Sequence, residues 1–454
     1  MMATENAFRA DRSSGTQVIR EGENGKHITV PAEQRRRELI LLLVLASVQF
    51  FSIVDFMVVM PLGPQLRRTM GIDTFQFGLI VSSYTVSAGV AGLLGSSILD
   101  RFGRRRAYLS LFTGFLAGTL LCGLSINYAT LLTARIITGA FGGILGGMAL
   151  AIIGDVFPEE RRGRATGVLM SAFALASVAG VPICIELGTR FGWHVPFLVL
   201  AAVGLPFLLL GLRILPPLRD HLDGRVHAHP WAQLRDTFSR ANNLRAFALT
   251  FAIMFGGFSV IPYVSLYLVG NSGVTEQNLT WVYMTGGLLT LVGAPLIGRL
   301  ADRFGKVPVY RIVASVAACL MLVITNLGPV PLAAALGVFG ALMLCNAGRM
   351  VAGMAIVTGS VESRQRGGSM SANSAVQHLA SGLGAFVAGK MIVPAANGAL
   401  RHFDRVGIMA MAATLLSLWL AGWVRSAGTV QSTRRETAAL RGTEFQSCQV
   451  NESA

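Results

Sequence analysis

The sequence predicts an all-α polytopic membrane protein, with twelve transmembrane helices arranged as two pseudo-symmetric six-helix bundles. Three observations lead there. Of the 454 residues 53% are hydrophobic and only 13% charged, and the mean hydropathy is +0.58; soluble domains carry about 25% charged residues. The apolar residues fall into about twelve runs, each near the ~20 residues that a helix needs to cross hydrocarbon. Finally, Asp100-Arg101-Phe102-Gly103 returns as Asp302-Arg303-Phe304-Gly305, 202 positions later (302 − 100), each time between two apolar runs. A match of that kind is the mark of a duplicated unit.

Taken in order, residues 1–37 are polar, lack the apolar core of a signal peptide, and read as a cytoplasmic tail ending in Arg35-Arg36-Arg37. The first bundle occupies 38–216. Its runs begin at Glu38 and near Phe77, Ala107, Tyr128, Ala165 and Val195. Residues 217–243 are too polar to span and form a linker between the halves. The second bundle occupies 244–426, with runs beginning near Leu244, Leu279, Val309, Pro331, Ser369 and Val406; residues 427–454 form a second polar tail.

The loops set the orientation. Arg101, Arg104, Arg105, Arg106, Arg161, Arg162, Arg164, Arg303, Lys306, Arg364 and Arg366 all fall on one side with the linker. That side is expected to be cytoplasmic, with both termini. The same placement explains the net charge of +15 without a nucleic-acid partner, because the cations sit in short clusters between spans rather than on one polar face. Glu160-Arg161-Arg162-Gly163 also corresponds to Arg364-Gln365-Arg366-Gly367 at an offset of 204 (367 − 163), a second anchor for the repeat.

At this point the chain resembles the major facilitator superfamily. The family's loop between its second and third helices reads Gly-x-Leu-Ala-Asp-Arg-x-Gly-Arg-Lys, and Gly298-Arg299-Leu300-Ala301-Asp302-Arg303-Phe304-Gly305-Lys306 is close to it. The first copy has Ser96 at the leading glycine. The resemblance covers Glu38 to Arg425. It implies a secondary transporter, of the drug/proton antiporter-like branch with twelve helices, in which Asp100, Arg101, Gly103, Arg104, Asp302, Arg303, Gly305 and Lys306 gate the cytoplasmic side. Topology anchoring without gating is the alternative. Gly103 and Gly305 suit the tight turn because glycine tolerates angles that other residues avoid.

Among intramembrane residues Asp55 is the first candidate, set in Ile53-Val54-Asp55-Phe56-Met57. An ionisable group at that depth is costly and marks a pathway or a relay. Low dielectric disfavours a bare carboxylate, which suits a group that loads and releases a proton. The competing reading is a permanently paired structural carboxylate. Arg135 lies about seven residues from Tyr128, and Asp55 about seven from Leu62, so at ~1.5 Å per residue both sit ~10 Å below the same surface. Arg135, with Gly139 four residues on, also resembles the family's fourth-helix motif, which implies a role in proton coupling. Gly180 and Pro182 form a partial copy of the antiporters' fifth-helix motif; proline and glycine together predict a kink.

Arg349 is buried by position in the tenth run, either for an anionic group on the substrate or for a partner in its own half. Asn373 and Gln377 share one helix face and line a pocket or glue helices together. Tyr84 and Tyr263 are cavity candidates for which core packing is the default. Adding the repeat offset to Asp55 lands on Gly257, so no second-half acid is expected opposite it.

No phosphate loop, nucleophile turn or paired Cys-x-x-Cys is legible, and His227-Ala228-His229 offers only two ligands. No enzyme activity, cofactor or metal is therefore expected. The expected partners are protons, a small-molecule substrate and the lipid bilayer of a bacterial inner membrane, for a monomeric chain. The expected activity is proton-coupled export of a small amphipathic or hydrophobic compound by alternating access. Uptake of a small metabolite, proton-coupled or facilitated, and a non-transporting membrane sensor are the alternatives.

Overall fold

A computed structural model describes residues 32–99, 103–216, 235, 237–361, 366–395 and 398–425. The first half runs α1 (Ala32–Val58), a short α2 (Gly63–Met70), α3 (Thr74–Leu99), α4 (Arg104–Gly123) and α5 (Tyr128–Val156). It continues with α6 (Glu159–Leu175), a π turn (Ala176–Gly180), α7 (Val181–Phe191) and α8 (His194–Ile214). The second half runs α9 (Ala241–Gly270), a 3-10 turn (Glu276–Asn278), α10 (Leu279–Phe304), α11 (Lys306–Thr325), α12 (Leu332–Gly359) and α13 (Arg366–Met391). A two-residue hairpin of β1 (Val393–Pro394) and β2 (Leu400–Arg401) then leads into α14 (Phe403–Trp423).

With α6, the π turn and α7 counted as one span, the described residues hold twelve long helices, six in each half. Ten are long and apolar enough to cross a membrane by length and composition alone. The other two are α4, which opens on Arg104-Arg105-Arg106, and α13, which carries Ser369, Ser371, Asn373, Ser374, Gln377 and His378. Of these polar residues Arg104, Ser369 and Asn373 are buried, whereas Arg106, Ser371 and Ser374 are exposed. The outward faces agree: Leu209, Leu296, Ile312, Val316 and Leu416 are all exposed. A belt of that kind is stable against lipid and costly against water.

Local signals end the helices where the sequence provides them. Asn127 caps α5, its side chain accepting from the Thr130 backbone N–H at 2.9 Å while Thr130 Oγ1 accepts from the Asn127 N–H at 3.2 Å. This reciprocal box satisfies two donors that a helix start leaves orphaned. The kink expected at Gly180 and Pro182 takes the form of the π turn just before Pro182, whose ring supplies no N–H to the preceding turn.

Inside the first half α3 packs on α5, α4 on α5 and α8, and α1 on α6; inside the second, α9 packs on α13 and α14, and α12 on α10 and α11. The halves meet along two seams, α3 against α13 and α10 against the π turn and α7. Small residues permit this closeness: a Cβ on Gly287 of α10 would lie 2.4 Å from the Ser177 carbonyl oxygen of the π turn. The face carrying the start of α1 and the end of α14 is the terminal face, and the opposite one the distal face. Three cross-half polar contacts lie at the distal ends. Ser265 Oγ donates to the Met60 carbonyl at 2.6 Å. Arg68 of α2 forms a two-pronged ion pair with Glu276 of the 3-10 turn. Thr280 Oγ1 meets Glu186 at 3.5 Å.

Candidate functional site

Two of the fully buried charges come together. Asp55, on the last turn of α1, and Arg135, two turns into α5, are both fully buried, and Arg135 Nη1 donates to Asp55 Oδ2 at 2.8 Å. The same nitrogen reaches the Asp55 backbone carbonyl at 3.3 Å, and Thr119 Oγ1 of α4 donates to Asp55 Oδ1 at 3.1 Å. Tyr84 of α3 closes the group, its ring centre 4.4 Å from the guanidinium carbon. An arginine over an aromatic face is attracted by the ring quadrupole, most strongly where water is excluded. Four helices of the first half thus converge on one carboxylate. The seam behind it is tight, since a Cβ on Gly180 would lie 2.4 Å from Val54 Cγ2, next in sequence to Asp55.

This cluster lies one residue from the wall of a central cavity of about 260 Å³ between the halves. Phe56, adjacent to Asp55, lines the cavity; its ring stacks on Tyr84 at 5.3 Å and packs against Phe258 of α9, another lining residue, at 5.7 Å. The rest of the wall is mostly apolar, with Met57, Met254, Phe339 and Met343 set among polar groups that include Asn346, Gln377, His378 and Tyr283. Such a lining of apolar surface with sparse polar groups is the usual make-up of a small-molecule site.

The other sequence candidates divide. Gln377 lines the cavity, with its amide 3.2 Å from Met354 sulfur. Asn373, on the same face of α13, is buried and accepts from Thr250 Oγ1 at 2.7 Å, a bond between helices of one half. Tyr84 and Tyr263 stand behind the wall: Tyr84 covers Arg135, and the Tyr263 hydroxyl donates to the Ala385 carbonyl at 2.5 Å. Arg349 of α12 is fully buried. It donates to Thr414 Oγ1 at 3.0 Å and to the cavity-lining Asn346 Oδ1 at 2.7 Å. Pro182 faces a separate distal groove between α7 and α10.

Where they are described, the two motif copies differ in partners. Asp100 and Arg101 lie outside the described residues. Arg104 Nε pairs with Asp155 Oδ2 at 2.7 Å, at the terminal end of α5. Lys306 in the second copy meets a carbonyl instead, that of Ala355, at 3.3 Å. Asp302 and Arg303 close α10 on the terminal face, exposed, with the Arg303 guanidinium carbon 5.3 Å from the centre of the Phe304 ring. The glycines differ too. Gly305 adopts φ +95°, the region where glycine is needed, but Gly103 sits at φ −58°, which any residue reaches. The expectation that both glycines serve their turns through unusual angles therefore holds for Gly305 alone; Gly103 is an ordinary helix start.

Sequence reasoning missed Thr119 and Asp155. Nothing in their local pattern marks them, because Thr119 looks like any helix threonine and Asp155 like any acid at a span's end. Each matters only through a partner distant in sequence.

Known proteins point the same way. The family model for the Major Facilitator Superfamily matches residues 45–325 and 246–447. The chain is 26% identical over 245 residues to the uncharacterized MFS-type transporter YtbD of Bacillus subtilis, 53% of this chain and 60% of that one. It is 26% identical over 246 residues to the inner membrane transport protein YdhP of Escherichia coli, 54% of this chain and 62% of that one. The chain thus spans about three fifths of the length of these relatives. Among solved structures, a bacterial homolog to the human lysosomal transporter Spinster superposes with a TM-score of 0.63 in its inward-facing, unoccupied conformation, at 16% identity, covering 85% of this chain and 95% of that one. In its occupied conformation the TM-score is 0.65, at 15% identity over 84% and 96% of the two chains. Twelve helices in two matched halves, a central cavity and a family match over most of the length agree: this multi-pass membrane protein belongs to the Major Facilitator Superfamily.

Proposed function

We propose that the chain is a proton-coupled exporter of a small amphipathic or hydrophobic compound in a bacterial inner membrane, with the terminal face in the cytoplasm. The observation that carries this reading is the Asp55–Arg135 pair beside the cavity wall. With Asp55 ionised, the carboxylate and guanidinium satisfy each other and hold α1 to α5 at 2.8 Å. A proton on Asp55 cancels that attraction and leaves Arg135 charged and buried, a costly state that favours rearrangement of the helices. Phe56 supplies the link to substrate, since its ring touches both the Tyr84 ring over Arg135 and the cavity. Substrate in the cavity and a proton on Asp55 then bias the same aromatic cluster, as exchange requires. The halves rock about the cavity, with the distal contacts Ser265–Met60 and Arg68–Glu276 closing one access. The Gly180-Pro182 segment supports export over uptake through its resemblance to the antiporters.

The test uses the full chain in proteoliposomes with a pH-sensitive dye inside, screened against candidate compounds. Compounds that move protons through the wild type are expected to fail to do so with Asp55→Asn, while binding persists. Unchanged substrate-driven proton movement in that variant ends the coupling reading. Counterflow in vesicles of known orientation separates export from uptake.

A further inference from the structure

The two buried arginines are supplied differently. Arg135 has a carboxylate built in, at 2.8 Å. Arg349, equally buried, forms no ion pair among the described residues; its partners are the Thr414 hydroxyl and the Asn346 amide oxygen, and its Nε has no partner. A full positive charge surrounded only by neutral dipoles in a low-dielectric interior is an unfinished arrangement.

Its surroundings open toward the cavity. Asn346 and Gly257 both line it. A Cβ on Gly257 would stand 2.9 Å from Arg349 Nη2 and 3.1 Å from Asn346 Oδ1, so the missing side chain is what brings the guanidinium up behind the wall. An arginine has no acceptor, so the Asn346 atom facing it must be the oxygen. The amide nitrogen of this partly buried side chain can only donate. The niche therefore combines a net positive charge with donor groups, and it sits beside the apolar surface of Phe258 and Met343.

We propose that Arg349, Asn346 and Gly257 form the head-group niche of the substrate site, and that the substrate class is an amphipathic carboxylate. The carboxylate takes the place opposite Arg349 that Asp55 takes opposite Arg135, and the apolar body lies between Phe258 and Phe339. The proposal rests on the central cavity being the substrate site and is independent of proton coupling.

The test compares three matched probes, 4-phenylbutyrate, 4-phenylbutanol and 4-phenylbutylamine, by calorimetric binding to the purified full-length protein in detergent. A charge-assisted contact predicts that the carboxylate binds roughly tenfold or more tighter than the alcohol, with the amine weakest. Asn346→Asp places a permanent carboxylate on Arg349 and keeps the buried charge compensated, so the variant is expected to fold. It should lose the preference for carboxylate over alcohol. Arg349→Gln should do the same, and if it fails to fold, Asn346→Asp decides. Equal binding of carboxylate and alcohol by the wild type, or a preference that survives Asn346→Asp, overturns the niche alone. Failure of all three probes to bind overturns the cavity reading beneath it.

Discussion

Replacing Asp55 by asparagine removes one charge from a pair that has no contact with solvent, and the geometry of the pair sets the cost. The carboxylate accepts from Arg135 at 2.8 Å and from Thr119 at 3.1 Å, and the two charged side chains are 0% and 1% exposed. Stripping one partner from such a pair costs about 3–5 kcal/mol, because the other charge stays buried without compensation. The lower end applies here, since an asparagine carbonyl still accepts one bond and the Tyr84 ring remains 4.4 Å from the guanidinium carbon. Removing both charges, as Asp55→Asn with Arg135→Gln, leaves two amides able to bond each other, at a loss of only about 1 kcal/mol. The double variant should therefore be more stable than Asp55→Asn alone, by about 2 kcal/mol. Unfolding of the four proteins of this cycle in the same detergent gives the order directly. If Arg135→Gln added to Asp55→Asn lowers stability further, Arg135 is not held by Asp55's charge, and a proton on Asp55 has no physical means of driving rearrangement.

The distal ion pair is mostly solvated on the Arg68 side, 64% exposed, so it is expected to bias the closure of the halves by only about 0.2–1 kcal/mol. Glu276→Arg should raise the labelling of a cysteine placed behind the seal, and the swap Arg68→Glu/Glu276→Arg should restore protection; labelling unaffected by both changes removes the latch. Glu276 also holds the Arg68 guanidinium above its ordinary pKa through the hydrogen bond and its charge. The stabilisation from a raised cation is complete below arginine's ordinary pKa and is lost only as pH rises through the raised one, so it is constant across neutral pH; screening by salt is what tunes this exposed pair, and the latch should strengthen as salt is lowered. The motif glycines make a contrasting pair. Gly305→Ala, at φ +95°, should cost about 1–2 kcal/mol in unfolding, whereas Gly103→Ala, at φ −58°, should be nearly neutral. Equal losses at the two positions contradict the backbone assignment.

What the bilayer dictates is legible along the chain. Apolar runs of spanning length, loop cations on one side and a repeat near half the chain specify a membrane bundle in two matched halves, because hydrocarbon admits few ways to satisfy a backbone. Asp55 and Arg135 are legible too, since an ionisable residue in a long apolar run is conspicuous without any structure. Packing settles everything that depends on partners far apart in the chain. It brings Thr119 to Asp55 across 64 positions and Asp155 to Arg104 across 51, contacts that no local pattern announces. It sets Tyr84 and Tyr263 behind the cavity wall and leaves Gln377 on it, a distinction that turns on helix rotation by a fraction of a turn. Above all, it puts Arg349 beside a glycine where Arg135 has a carboxylate. Whether a buried charge is answered from within is a property of packing, because the answering group is chosen by proximity in space and not by position along the chain.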